Sequence, residues 1–184
     1  MGLLDRKKAA IFGVANDRSI AWAISQALHS EGAELAFSYA GEILEKRVRP
    51  LADSIGSKIV LPCDVTKDDE IEKVFSTLNQ EWGGLDILIH AIAFANKEDL
   101  ANPFVQTSRQ GFHLAMDVSA YSLVALARHA AAAAVLAGLT CDGVAGNLSL
   151  LTGASGGRLL GQFAQQQHRF RHRPADGMRW SRFG

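Results

Sequence analysis

The chain has 184 residues with 19 basic and 19 acidic side chains and a mass of 19.8 kDa, a size typical of one domain. Hydrophobic residues make up 48% and charged residues 21% of the sequence, which supplies a core and excludes wholesale disorder. A net charge of zero excludes an overall field that would hold nucleic acid or an anionic membrane, so small molecules or proteins are the expected partners.

The first half of the chain alternates predicted strands and helices. Apolar runs predict strands, and helical spacing of apolar residues predicts helices between them; the strands are residues 9–14, 34–39, 58–61 and 85–91, and the helices are residues 19–30, 43–54 and 67–82. Gly32 is expected to end the first helix, Pro62 to stop the third strand, and Thr66 to N-cap the third helix. This alternation predicts an α/β fold with a Rossmann-type doubly wound parallel sheet.

The composition changes near residue 130. Residues 130–134 are five consecutive alanines, and after Asp117 the only acidic residues are Asp142 and Asp176. Residues 147–151 predict a fifth strand, whereas the last 20 or so residues, rich in Gln, His and Arg, show neither helical nor strand periodicity. We therefore predict a dinucleotide-binding domain over residues 1–151, its sheet incomplete on the C-terminal side, and an irregular basic tail over residues 152–184.

The cellular location and the redox state of the cysteines are predicted from features that this sequence does not contain. The N-terminus becomes charged at Asp5, and the longest apolar stretch contains Arg128 and His129, so neither a secretory signal nor a membrane span is predicted. We expect a cytoplasmic chain. Cys63 and Cys141 are too few for a disulfide framework or a cysteine-rich metal site, and we expect two reduced thiols and no metal.

The turn after the first strand is the first candidate site. A dinucleotide site needs a close approach of backbone to pyrophosphate at the end of this strand and a helix N-terminus aimed at it. Gly13 and the predicted helix start at Ser19 provide both, although the usual G-x-G-x-x-G is absent. Taken alone, the turn is also compatible with a plain strand-to-helix loop.

Further segments occur in order and at matching spacing. The pattern Gly13-x5-Ser19-x-Ala21 is followed by the matching residues 37–39, 61–66, 84–95 and 112–122. Together they resemble the bacterial enoyl-acyl-carrier-protein reductases, which are divergent short-chain dehydrogenases, over residues 1 to about 129. The resemblance implies NADH-dependent reduction of a trans-2-enoyl thioester carried by acyl carrier protein in fatty-acid biosynthesis, in a cytoplasmic homotetramer.

The resemblance also implies roles for particular residues. The cofactor-binding positions would be Gly13, Ser19, Ile20, Ala40, Asp64, Val65 and Ile92, and Ala95 would lie against the substrate. The first three would contact pyrophosphate and ribose, Ala40 the adenosine ribose, and Asp64 with Val65 the adenine. An N-cap of the next helix remains the alternative for Asp64, and a buried strand end remains the alternative for residues 91–95.

The resemblance implies NADH rather than NADPH, because no basic residue stands at Tyr39 or Ala40 to receive a 2′-phosphate. It also exposes a departure. The family uses a Tyr and a Lys on one helix after the fifth strand, whereas this chain has only Tyr39 and Tyr121, and its last lysine is Lys97. We assign no catalytic residue, and we interpret Tyr121 as structural. A frameshifted or chimeric C-terminal third is our hypothesis for the change, and resequencing the source gene tests it.

Four alternative functions arise from the same sequence. The chain could be a catalytically dead nucleotide-binding remnant of that family, or another short-chain reductase acting on a small carbonyl. The basic and aromatic residues 168–173 suggest a single-stranded nucleic-acid binder, but one short run on a neutral chain favours a solvated tail. The Gly153-x-Ser155-x-Gly157 pattern resembles a serine-hydrolase elbow, but no His follows Asp176 to complete a triad.

Overall fold

A computed structural model describes residues 2–132, which form a parallel sheet with helices on both faces. The strands are Lys8–Phe12 (β1), Glu34–Tyr39 (β2), Ile59–Pro62 (β3) and Ile87–His90 (β4). They lie in the order β3-β2-β1-β4, and every neighbouring pair is parallel. The chain therefore moves outward from β1 in one direction and then returns to its other side, which creates a topological switch point between β1 and β4.

The first three helices follow the first three strands, as predicted. They are Ile20–Ser30 (α1), Glu42–Ser54 (α2), Asp68–Trp82 (α3), Lys97–Ala101 (α4), Arg109–Met116 (α5) and Ser122–Ala132 (α6). A 3-10 turn, Phe104–Gln106, precedes α5, and a π-helical turn, Asp117–Tyr121, joins α5 to α6. As predicted, Gly32 terminates α1: it lies two residues after Ser30, and its positive φ of 91° lets the amide of Ala33 reach back to the carbonyl of Leu28 at 3.1 Å.

Alternate residues of β1 point to opposite faces of the sheet and into two separate cores. On one face Ala10 and Phe12 pack against α3 and α6, with the rings of Phe12 and Phe75 stacked 6.2 Å apart. On the other face Ala9 and Ile11 pack against α1 and α2. The sheet is thus buried on both sides, which explains the nearly continuous apolar runs of its strands.

At the amino-terminal ends of β1 and β4, charged groups join the two strands. Lys7 Nζ lies 2.7 Å from Asp86 Oδ1, and the backbone amide of Lys8 donates to Asp86 Oδ2 at 3.0 Å. The ammonium of Lys8 also donates to the carbonyl of Trp82 at the end of α3. These contacts join β1 to the segment that enters β4, almost 80 residues later in the chain.

The predicted doubly wound parallel α/β architecture is confirmed, and two local predictions are wrong. Pro62 does not stop β3 but is its last residue, opposite Tyr39, where the missing N–H is tolerated because β3 is an edge strand of the described sheet. Thr66 does not cap α3, whose N-cap is Lys67. The predicted fifth strand and the basic tail lie outside the described residues, and none of the helices in residues 2–132 is long and apolar enough to cross a membrane.

Candidate functional site

A cleft of about 430 Å³ opens at the carboxyl ends of all four strands. Each strand contributes the residues that directly follow it, and α5 and the π-helical turn contribute Leu114 and Val118. The strand-end residues are Gly13, Val14 and Ala15 after β1, Ser38, Tyr39 and Ala40 at β2, Cys63, Asp64, Val65 and Thr66 after β3, and Ala91, Ile92, Ala93 and Phe94 after β4. This is the edge at which open α/β sheets bind ligands.

Gly13 is required by the packing at the head of the cleft. Its φ is 109°, and a Cβ added to it would lie 2.2 Å from the carbonyl oxygen of Ala91. The backbones that leave β1 and β4 therefore touch here, and a side chain would have to push them apart. Gly13, predicted from sequence as a ligand contact, thus has a structural role in this fold, which is to let the two strand ends meet.

The loop from β1 to α1 is organised around Asn16. Its carbonyl oxygen accepts from the amide of Ser19 at 3.2 Å and from the Ser19 hydroxyl at 2.7 Å, and its side-chain oxygen accepts from the amide of Arg18 at 2.8 Å. The Ser19 hydroxyl is therefore turned back into the loop and does not cap α1, although Ser19 is the N-cap residue.

The N-terminus of α1 carries unused donors. Within residues 2–132 the amides of Ile20 and Ala21 have no backbone or side-chain acceptor, and the first turn of α1 has no acidic residue. Free amides and the positive end of the helix dipole make such a terminus an anion site. The Ile20 side chain itself is 64% exposed, so any role of this residue rests on its backbone amide.

Asp64 is held as an acceptor on the opposite wall. Its Oδ1 accepts from the amide of Thr66 at 3.1 Å and from the Thr66 hydroxyl at 2.8 Å, and its Oδ2 lies 3.4 Å from Lys67 Nζ. Partial burial alone would raise the pKa of this carboxyl, but the bonds from Thr66 and the Lys67 ammonium outweigh it and hold the pKa below its ordinary value. Asp64 is therefore ionised at neutral pH. The alternative role as a helix N-cap is wrong, because α3 begins at Asp68.

The end of β2 carries a charged pair that the sequence did not reveal. Arg49 Nη2 lies 2.5 Å from Glu45 Oε1 on α2, and both groups act on Tyr39. Burial, with the neighbouring Glu45 carboxylate, raises the pKa of the Tyr39 hydroxyl. No basic residue follows β2 directly, as the sequence indicated, but Arg49 is close by and already paired.

The end of β4 is fixed by two serines of the helix that packs beside it. His90 Nε2 and Ser122 Oγ are 2.7 Å apart and both residues are buried. The Ser119 hydroxyl contacts the backbone of Phe94. Ile92 lies between these two points and lines the cleft, whereas Ala95 is half-buried just beyond the cleft wall.

Cys63 contributes a thiol to the cleft floor but not a reactive one. Its side chain is buried, and desolvation together with the nearby Glu70 and Asp64 carboxylates raises its pKa to about 12. The thiol is protonated at neutral pH, so it acts as a small apolar side chain. Cys141 lies outside the described residues.

The structure brings together five of the predicted site residues and places the others at the margin. Those on the cleft wall are Gly13, Ala40, Asp64, Val65 and Ile92. Ser19 and Ile20 stand at the start of α1, and Ala95 follows the last lining residue of the β4 end. Tyr121, interpreted as structural, is 48% exposed on the π-helical turn and contributes neither to a core nor to the cleft.

Sequence reasoning missed Glu45, Arg49, Ser119 and Ser122. The only available signal for the first two is their spacing of four on a predicted helix, which favours an ion pair. No local pattern indicates that a serine contacts a strand end about 25 residues away.

Comparison with known proteins shows one consistent family. Residues 13–155 match the family described as Enoyl-(Acyl carrier protein) reductase. The NADH-dependent enoyl-acyl-carrier-protein reductase FabI of Aquifex aeolicus is 52% identical over 128 residues, and its counterpart in Bacillus cereus is 53% identical over 132 residues. These alignments cover 70% and 71% of this chain but only 47% and 52% of the relatives, so the chain spans about half their length.

Solved structures agree with the sequence comparison. The crystal structure of the Aquifex aeolicus enzyme superposes with a TM-score of 0.69 at 50% identity, over 71% of this chain and 52% of that one. The reductase of Anaplasma phagocytophilum, in complex with NAD, gives 0.67 at 43% identity, over 70% and 49%. The Bacillus cereus reductase with NADP+ and indole naphthyridinone gives 0.70 at 51% identity, over 73% and 53%.

Proposed function

Because this chain belongs to the enoyl-(acyl carrier protein) reductase family, we propose that its cleft binds NADH in the service of trans-2-enoyl thioester reduction in bacterial fatty-acid synthesis. The substrate would be an enoyl chain carried by acyl carrier protein. The observation that supports the proposal best is the set of complementary groups along one cleft and its margin. Free amides start α1, small residues end β1 and β4, and an ionised Asp64 stands at the far wall.

The residues present fit a dinucleotide. The free amides of Ile20 and Ala21 suit the pyrophosphate, because they are unpaired donors at a helix N-terminus with no nearby carboxylate in its first turn. Asp64 is an acceptor for the exocyclic amine of adenine, and Val65 offers an apolar edge to the ring. Ala40 lies between them at the end of β2, where the adenosine ribose would lie.

The preference for NADH over NADPH is part of the proposal. A 2′-phosphate beside Ala40 would need a free cation, and Arg49, which acts on the adjacent Tyr39, is already paired with Glu45. One Bacillus cereus relative is named for NADH, and a Bacillus cereus reductase has a structure with NADP+, so family membership alone does not decide the preference. The ion pair on α2 is what favours NADH in this chain.

When bound, NADH supplies a hydride to the β-carbon of the enoyl thioester. The chain's own contribution is to hold the two reactants: Ile92 lines the cleft at the end of β4, and Ala95 follows on the side proposed for substrate. The family resemblance implies a Tyr and a Lys for the enolate and the ribose. Tyr39 sits at the adenosine end and Tyr121 outside the cleft, and no lysine follows Lys97. We therefore propose that this 184-residue chain binds NADH without turnover.

Calorimetry with NADH, run beside an NADH-oxidation assay with a crotonyl thioester on the same sample, tests the proposal. Binding without oxidation is the expected result. Oxidation of NADH would overturn the assignment of the chain as catalytically silent. Absence of binding would overturn the nucleotide site itself, and oxidation only with small carbonyl compounds would favour a carbonyl reductase.

A further inference from the structure

The π-helical turn presents two serine hydroxyls to the end of β4. An ordinary helix repeats every 3.6 residues, and the wider π turn inserts an extra residue that changes which side chains face a neighbour. In this turn and the residue that follows it, Ser119 and Ser122 both face the segment from His90 to Phe94. π turns of this kind are frequent at functional sites.

Ser122 fixes the last residue of β4. Its hydroxyl donates to the carbonyl of Val118 at 2.7 Å, and a hydroxyl has only one proton to donate. The contact of 2.7 Å with His90 Nε2 must therefore be a bond in which the imidazole donates, which defines the tautomer as Nε2–H. His90 and Ser122 are 3% and 0% exposed, so water does not compete for this bond.

Ser119 fixes the backbone of Phe94, four residues after His90. Its hydroxyl accepts from the amide of Phe94 at 3.0 Å and donates to the carbonyl of the same residue at 3.2 Å. One side chain thus satisfies both backbone groups of Phe94, as a partner strand would. The Phe94 ring is 50% exposed, so packing of that ring in the core does not hold the segment.

Ala91 and Ile92 each pack against one of the two cores, but few backbone hydrogen bonds hold the segment 91–94. The amide of Ala91 donates to the carbonyl of Phe12 at 2.8 Å, and beyond it residues 92–95 make no backbone-to-backbone hydrogen bond within residues 2–132. Yet Ala91, Ile92 and Ala93 line the cleft. Within residues 2–132 the hydrogen bonds that fix the backbone of this wall therefore lie at its two ends.

We propose that Ser119 and Ser122 are positioning residues that hold the cleft-lining segment 91–94 and thereby set the affinity of the cleft for its nucleotide. Neither serine lines the cleft, so each acts through the backbone or imidazole that it holds. This inference rests on the proposed function, because the affinity concerned is that for NADH.

Hydrogen exchange resolved to single amides in the full-length chain, together with NADH titration, tests the inference. In the wild type the Phe94 amide is expected to exchange more slowly than those of Ala93 and Ala95, which have no acceptor within residues 2–132. Ser119→Ala should remove that difference and raise the NADH dissociation constant about fivefold, the equivalent of one net hydrogen bond. Ser119→Thr keeps a hydroxyl and should restore most of the affinity.

Ser122→Ala and a matched control complete the set. Ser122→Ala leaves the imidazole N–H of His90 without its acceptor, so it should change the ring-nitrogen NMR signature of His90 and also weaken NADH binding. Ser54→Ala removes an exposed hydroxyl that contacts only the carbonyl of Leu51 in its own helix, and it should change nothing.

The outcomes separate this inference from the function beneath it. Wild-type protein that fails to bind NADH overturns the proposed function and the inference with it. Wild-type protein that binds NADH, with Ser119→Ala binding equally well, overturns the inference alone. A Phe94 amide that exchanges as fast as its neighbours in the wild type also overturns the inference. This measurement needs no variant, so the inference can be tested even if Ser119→Ala misfolds.

Discussion

At Gly13 two demands meet in one residue, a left-handed backbone and the absence of a side chain. The two demands can be separated because Gly56 also has a positive φ, of 71°, but nothing within 4 Å of the position of a Cβ. We predict that Gly56→Ala lowers the free energy of unfolding by about 1 kcal/mol, from backbone strain alone. Gly13→Ala should cost about 3 kcal/mol, because overpacking against the Ala91 carbonyl adds to the strain. Urea denaturation measures both, and equal losses would contradict the contact between the strand ends.

Asp64 tests the adenine end of the cleft. Asp64→Asn keeps an oxygen for Thr66 but removes the charge, and a charge-assisted hydrogen bond is worth about 1 kcal/mol more than a neutral one. We therefore expect NADH affinity to fall about fivefold, as measured by calorimetry. Asp69→Asn is the control, since Asp69 pairs with Lys73 on the exposed face of α3. Equal effects of the two substitutions would mean that Asp64 acts only through the overall charge.

Glu45 tests the basis of coenzyme preference. Glu45→Gln removes the partner of Arg49 and leaves a guanidinium near the position proposed for the adenosine ribose. We expect the ratio of NADPH to NADH affinity to rise about threefold, the modest effect of one exposed charge pair. Glu42→Gln, one turn earlier on α2, should leave the ratio unchanged. A ratio that does not move in Glu45→Gln would show that the ion pair has no part in the preference.

At the scale of elements, the sequence predicted the helices and strands that have periodic apolar residues. It did not predict features that depend on contacts outside the element. The bounds of β2 are as predicted, and those of α1 to α3 differ by one residue, because apolar spacing and Gly32 are local signals. Thr66 was misassigned because its hydroxyl has a competing acceptor in Asp64. The π-helical turn was not predicted, since an extra residue in a helix leaves no trace in apolar spacing over five residues.

The same reasoning applies to the site. Cleft residues at strand ends were predictable, because parallel strands share one carboxyl edge and the resemblance supplied their roles. Ser119 and Ser122 were not, because their partners are 25 and 32 residues away and serine at a helix position carries no directional signal.

Buried His90, at the end of β4, should make the free energy of unfolding depend on pH. Burial lowers the pKa of His90 below its ordinary value of 6.5, so the unfolded chain binds a proton more readily than the folded one. The stability is therefore complete above about pH 6.5 and is lost as pH falls toward the lower folded pKa, by at most about 1.4 kcal/mol per pH unit. Urea denaturation at pH 7.5 and 5.5 measures the loss. His90→Asn should reduce it, and His29→Asn, at an exposed position, should not.

For the whole molecule, the division of the chain is itself a prediction. We expect the nucleotide site to belong entirely to residues 1–151, so a chain ending at residue 151 should bind NADH with unchanged affinity. Calorimetry on both lengths, with circular dichroism to confirm folding, measures this. A folded shorter chain that no longer binds would place part of the site in the tail, and salt-sensitive binding of single-stranded DNA by the full chain alone would support the nucleic-acid alternative.

The pairing of β1 with β4 has a consequence for how the protein is made. β2 and β3 can line up beside β1 once about 60 residues have left the ribosome, but the other side of β1 waits for residues 87–90. The wall that these residues begin gains its bonds to Ser119 and Ser122 later still. During synthesis the chain therefore carries three of the four described strands, with one side of β1 unpaired, for some 30 residues of elongation. That interval is when a nascent chain is most open to mispairing or to capture by a chaperone.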